Sequence, residues 1–129
     1  MKLECQGKPE VMNPTESQIK KTILKLRSYG PCSFASLTDD LGNYIQVAGG
    51  GVTCMVEKYE ISGDNRMRAF HDKPSPVFPD GTVLVFGGGE LKMKADEWFL
   101  SDMVVELFLC FFHKREYPEN VGWRKAPGF

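Results

Sequence analysis

No stretch of this sequence approaches the ~20 consecutive apolar residues that a bilayer-spanning helix needs. The N-terminal segment MKLECQGKPE lacks the apolar core of a secretory signal. The expected compartment is therefore the cytoplasm, with no membrane partner. Cysteine is sparse and badly spaced for metal: Cys5, Cys32, Cys54 and Cys110 form no CxxC pair. They read as reduced, partly buried small hydrophobes of a cytosolic protein. Histidine is scarcer still, with only His71 and His113, and neither stands in an HExxH motif. A Gly-x-Ser-x-Gly nucleophile elbow is missing as well. So is the zinc-deaminase signature, because Pro31-Cys32 has no second cysteine three residues on and no His-x-Glu upstream. Charge of one sign is also lacking. Sixteen Lys and Arg against seventeen Asp and Glu give a net charge of -1, which sets aside any sequence-wide attraction to nucleic acid or anionic lipid.

What is present is one domain's worth of ordinary globular chain. At 129 residues, 42% hydrophobic and 26% charged, it can bury a core without disulfides or metals. The stretch Ser101 to Lys114 marks where that core lies. On a helical wheel only Asp102, Glu106 and His113 share a narrow polar strip, and apolar side chains cover the rest. A helix apolar nearly all round is buried on most sides. Ser101 is read as its N-cap, and Tyr117-Pro118 as its stop. A second helix is expected after Asn13-Pro14-Thr15-Glu16, with Asn13 as cap, Pro14 at the first helical position and Glu16 completing a capping box. Ile19, Ile23 and Leu26 form its buried stripe, with Thr22 and Tyr29 beside it, and Gly30-Pro31 ends it.

Strand signals fill the space between the helices. Ser33–Thr38 and Tyr44–Ala48 flank a turn at Asp39–Asn43. Val52–Ile61 alternates until Lys58-Tyr59, where the slip suggests a bulge. Ser62–Asn65 is a turn leading to Arg66–Phe70, and His71–Gly81, with three prolines, is the longest loop. Thr82–Phe86, apolar on both faces, reads as a central strand, followed by a shorter one near Leu91–Met93. Residues 1–12 are read as either a frayed tail or one edge strand. Trp98-Phe99-Leu100 is read as a last strand or the lead-in to the core helix, and the segment around Val121 as a terminal strand. The order gives a single α+β domain over residues 1–129. In it a single antiparallel sheet carries an N-terminal amphipathic helix and a C-terminal buried helix on one face.

Four features invite a chemical reading. Gly49–Gly51 and Gly87–Gly89 resemble phosphate-cradling loops, but neither is followed by the Lys-Ser/Thr of a P-loop, so tight turns are expected. His71-Asp72 is half of a catalytic pair, a metal ligand, or a solvated loop histidine, and the last is the default. Asp39, Asp40, Glu57, Glu60 and Asp64 fall in or near turns, either as ordinary solvated residues or as an acidic face for a basic partner. Trp123 is a core plug or an interface anchor.

The order of these segments carries a resemblance. Asn-Pro-Thr-Glu before an amphipathic helix comes first, then SLTDDLGNYIQVAGGG, Gly-rich strand ends and a late amphipathic helix that ends in Phe. A Pro-x-x-Val-x-Trp tail (Pro118, Val121, Trp123) closes the set. In this order, over roughly residues 13 to 125, the chain resembles the Imm1-type immunity proteins of bacterial polymorphic toxin systems. It departs from the commoner forms of that family in its aromatic late helix and long Pro-rich loop. The resemblance implies an α+β fold, no catalytic residues and no cofactor. It also implies a cognate toxin domain as partner, often of the deaminase type, with no direct contact to nucleic acid and a monomer favoured.

The expected function is thus a non-enzymatic inhibitor that blocks a toxin's active site or substrate groove. Its expected partner surface is Asp39, Asp40, Glu57, Glu60 and Asp64, with His71, Asp72 and Phe78 of the Pro-rich loop nearby. Two other readings stand beside it. One is a small nucleotide-binding or enzymatic domain using the glycine runs and His71-Asp72. The other is an adaptor subunit assembling through Phe78, Trp98 or Trp123.

Overall fold

Two helices, α1 (Glu16–Lys25) and α2 (Ser101–His113), lie together on one face of a seven-stranded antiparallel sheet. The computed structural model describes residues 1–127; residues 128 and 129, the last two of the single domain expected from the sequence, lie outside the described residues. The strands are β1 (Lys2–Cys5), β2 (Val11–Met12), β3 (Phe34–Thr38), β4 (Tyr44–Gly50), β5 (Thr53–Glu60), β6 (Asn65–His71) and β9 (Val121–Lys125). Their spatial order is β2-β1-β3-β4-β5-β6-β9. The α+β class expected from the sequence is the one found. Added to it is a small second sheet, the hairpin of β7 (Thr82–Phe86) and β8 (Gly89–Met93).

Alternation along the strands sorts the side chains into two layers. On the helix face, Leu37, Ile45, Val47, Cys54, Val56 and Ala69 form one cluster with Ile19, Ile23 and Leu26 of the α1 region and Val104, Leu107 and Phe108 of α2. Burying each of the large members stabilises the fold by roughly 1.5–3 kcal/mol relative to exposure. On the opposite face, Ala48 and Met55 meet Leu84, Leu91, Met93 and Trp98 in a smaller cluster beneath the hairpin. The polar strip of α2 stands as the wheel had it: Asp102, Glu106 and His113 are exposed while Val104, Leu107 and Phe108 are buried. His113 pairs with Glu16 across the two helices, favoured by both dipoles.

Several expectations are corrected. Thr15, not Asn13, caps α1: its hydroxyl accepts from the Gln18 N–H, and the Gln18 side chain accepts from the Thr15 N–H. Asn13 takes a left-handed backbone instead (φ 50). The helix stops at Leu26, which turns extended, so Tyr29 falls outside it and is 90% exposed. Ser101 is not a cap; its hydroxyl donates to the Gly51 carbonyl. Lys114 ends α2 in the left-handed region, before Tyr117-Pro118 is reached. No bulge interrupts β5, which pairs in unbroken register with β4 and with β6. Its pattern slips because it is covered on both faces, with Lys58 on the Val56 face folded under Tyr117 and Trp123. Thr82–Phe86 is not a central strand: it pairs only with β8, and Val83 and Val85 point outward. Residues 1–12 hold two strands rather than one: β2 takes the edge of the sheet, and β1 lies inside it between β2 and β3.

Candidate partner-binding surface

The Asp39–Asn43 turn and the turn after β5 emerge side by side at one end of the sheet, because Tyr44 pairs with Tyr59 at the edge of the β4–β5 ladder. Asp39 builds the first turn. Its carboxylate accepts from the Leu41 and Asn43 N–H groups and from the Asn43 side-chain amide, at 2.9, 3.0 and 3.0 Å. Burial pulls this carboxyl upward, but the hydrogen bonds from Asn43, Leu41 and Gly42 outweigh it and hold the group below its ordinary value. Gly42 takes a φ of 97, which a side chain rarely adopts. The second turn is clamped to the first: Asn43 Oδ1 accepts from the Ile61 N–H at 2.9 Å. Asp64 adopts a left-handed backbone and accepts from the Tyr59 hydroxyl at 2.7 Å.

This clamping fixes an apolar patch at the tip of the sheet. Leu41 is 73% and Ile61 50% exposed. Beside them the rings of Tyr44 and Tyr59 stack, with centroids 5.2 Å apart and planes 18° apart. Asp40, Glu60 and Asp64 stand exposed around this patch. The rim is not uniformly acidic. Lys58 pairs with Glu60 at 3.1 Å, and Lys114 and Arg115 line the helix side of the same hollow.

Glu57 is removed from the expected surface. Its side chain is 1% exposed and receives Arg68 at 3.0 Å, Gln46 at 3.0 Å and Arg66 at 3.6 Å. Glu57 opens a buried chain of charge that composition does not announce. Arg68, 2% exposed, also donates to the Lys92 carbonyl and reaches Glu97; Glu97 and Asp96 in turn hold Arg124, at 3.3 and 2.7 Å. Three carboxylates thus meet three guanidinium groups between the sheet and the hairpin. The only trace of it in the sequence is hairpin register, which sets Glu57 directly across from Arg68. Arg124 also lies over the Phe70 ring at 4.1 Å. Beside Glu57 a cleft of ≈ 390 Å³ opens between Phe34 and Phe86, floored by Gln46 and Met55.

The Pro-rich loop lies at the other end of the sheet from the acidic turns. β6 begins at the second turn and delivers His71 seven residues on, roughly 20 Å away at the usual strand rise. His71 is buried rather than solvated. Its Nδ1 accepts from the Lys73 N–H, so Nε2 carries the proton and donates to the Trp98 carbonyl at 2.6 Å. The ring packs edge-on against Phe99. Both nitrogens are engaged in holding the loop, which leaves neither facing a substrate. Asp72 is exposed, and Phe78 is half-buried against Trp98, centroids 4.7 Å apart.

The glycine runs are places of close approach. A side chain at Gly50 would run into the Leu26 backbone, and one at Gly49 into the Thr53 carbonyl. The first run leads into strand β5 and the second into β8, with no helix following either. Trp123 is half-buried, tilted against Tyr117 at 4.8 Å with the Lys58 ammonium over its ring at 4.6 Å. Among the described residues no group of three or more His, Cys, Asp and Glu is placed to hold a metal ion, and no helix is long and apolar enough to cross a membrane. Comparison with known protein families and with curated proteins finds no match for this chain.

Proposed function

We propose that this chain is an inhibitor of the immunity type, which binds a cognate toxin domain and occupies its active-site mouth or substrate groove. The observation that carries this reading is the clamped tip of the sheet, where Leu41, Ile61 and the Tyr44–Tyr59 stack are ringed by Asp40, Glu60 and Asp64. A rigid apolar and aromatic centre inside a charged rim is the anatomy of a protein–protein interface. A toxin that handles nucleic acid or nucleotides presents a basic groove, and rim carboxylates take the place of phosphates there. A complex of ordinary size buries about 1,600 Å² in total across both partners.

Asp39 is left out of the contact set because its carboxylate holds the turn together. His71, Asp72 and Phe78 are left out because they stand at the far end of β6. The cytoplasm is the matching compartment, since immunity acts where an incoming toxin acts. The experiment is co-expression with the toxin domain encoded by the upstream open reading frame. Wild type restores growth, and Asp40→Lys/Glu60→Lys/Asp64→Lys, folded and expressed to the same level, does not. An upstream frame encoding a metabolic enzyme would overturn the reading, as would full protection by the triple variant for the surface assignment.

A further inference from the structure

Two of the four cysteines meet in space. Cys5 ends β1, and Cys32 lies in the segment that runs from α1 into β3. The dipeptides Cys5-Gln6 and Cys32-Ser33 are laid side by side by a set of short hydrogen bonds. The Ser33 N–H and hydroxyl donate to Gln6 Oε1 at 2.8 and 2.7 Å, and the Gln6 N–H donates to the Phe34 carbonyl at 3.0 Å. The Cys32 thiol donates at 3.4 Å to the carbonyl of Gln6, the residue next to Cys5, and Cys32 lies close enough to Cys5 to perturb its thiol. Both are half-buried and line one cleft of ≈ 480 Å³, walled by Leu3 and Val11 and rimmed by Lys8, Lys21 and Lys25. Cys54 and Cys110 differ: each is buried, 1% and 7% exposed, in the helix-face layer.

We propose that Cys5 and Cys32 form a reversible redox site that closes to a disulfide when it meets an oxidised low-molecular-weight disulfide such as oxidised glutathione. One cysteine thiolate attacks the glutathione S–S bond and expels one glutathione thiolate. The second cysteine thiolate then attacks the protein sulfur of the mixed disulfide and expels the other. The two protein thiols lose two protons and two electrons, and two molecules of reduced glutathione carry them away. Burial first, and then the neighbouring Cys32, push the Cys5 thiol up to about 11, with Lys8 pulling the other way. Cys5 therefore stays protonated at neutral pH, and closure is slow there. The thiol of Cys54, pushed up to about 12 by burial, takes no part. Closure ties the α1–β3 connection to β1 and leaves the acidic turns untouched, so this site stands whether or not the inhibitor reading does.

The test is incubation of the folded full chain with oxidised glutathione at alkaline pH until the thiol count is constant, followed by thiol titration under denaturing conditions, intact mass and peptide mapping. The expected result is a fall from four free thiols to two, a mass lower by two hydrogens, and a single linked peptide joining Cys5 to Cys32. The melting temperature should rise by roughly 10 °C and fall back on adding a dithiol reductant. A Cys54→Ala/Cys110→Ala variant should still close, whereas Cys5→Ser or Cys32→Ser should not. Four thiols remaining, glutathione adducts without a linked peptide, or a link through Cys54 or Cys110 would each overturn the proposal. The wild-type measurement decides it even where a variant folds poorly.

Discussion

The two faces of the sheet are closed by different physics. On the helix side, residues from five strands and both helix regions share one apolar layer, and Phe108, Val104, Ile45 and Val56 are fully buried in it. On the hairpin side the apolar cluster is smaller, and charge assists it: Arg68, paired with Glu57, donates to the Lys92 carbonyl of β8, while Glu97, just after the hairpin, takes Arg68 and Arg124. Apolar contact is indifferent to direction, so the helix layer supplies stability wherever side chains fit. Charged hydrogen bonds demand geometry, so Arg68 on the Lys92 carbonyl and on Glu97 sets how the hairpin and the turn after it sit on the sheet. The hairpin covers only part of its face, which leaves the Tyr44–Tyr59 end uncovered.

The comparison breaks most decisively at Phe108. A carboxylate there has no partner in the helix layer, and Phe108→Asp should abolish the cooperative thermal transition altogether. A variant that melts like wild type would mean that α2 is exposed and is itself the interface. The ion chain comes next. Arg68→Ala leaves Glu57 buried and short of its principal partner, and should cost about 3–5 kcal/mol in urea unfolding. Glu57→Met/Arg68→Met should then fall short of the sum of its single changes by about 1 kcal/mol or more. Strict additivity would show that the two side chains do not act as a pair.

A smaller effect tests the cap of α1. Thr15→Ala should cost about 1 kcal/mol, while Asn13→Gly, which keeps the left-handed backbone, should cost less, because the Asn13 side chain accepts from the N-terminal ammonium at 3.3 Å and caps no helical N–H. The smallest effect is at acid pH. Asp39 is held below its ordinary value of 3.8, so its contribution to stability is present above that value and is lost as pH falls through the lowered one. Asp39→Asn should therefore flatten the acid limb of a stability-against-pH curve. An unchanged slope would remove Asp39 from the role of turn builder.

How far the sequence disclosed this arrangement follows from the range of each interaction. The polar strip of α2 was legible because Asp102, Glu106 and His113 report helical burial within a single segment. The turns were legible because Asp39–Asn43 and Ser62–Asn65 are local chemistry. Thr15-x-x-Gln18 was also local, yet Asn13-Pro14 supplied a competing helix start two residues earlier. Thr82–Phe86 misled because a run of Val and Leu looks the same in a central strand and in a hairpin whose Val83 and Val85 face outward. Glu57 misled most. A glutamate beside a turn reads as surface, and only its pairing with Arg68 and the hairpin packed above reveal that it is buried. Nor does the chain order show that His71 and the acidic turns occupy opposite ends of β6.

The central claim is that the clamped turn tip, and not the Pro-rich loop end, meets the partner. Stopped-flow association with the upstream-encoded toxin domain, followed against salt, tests it most directly. The account predicts that Asp40→Lys/Glu60→Lys/Asp64→Lys slows association by about tenfold or more at low salt and flattens its salt dependence. The melting temperature should fall by only a few degrees, since the Tyr59 hydroxyl's hydrogen bond to Asp64 contributes roughly 1 kcal/mol. An unchanged association rate in that variant, with the loss appearing instead in Asp72→Lys/Val77→Asp, would contradict it.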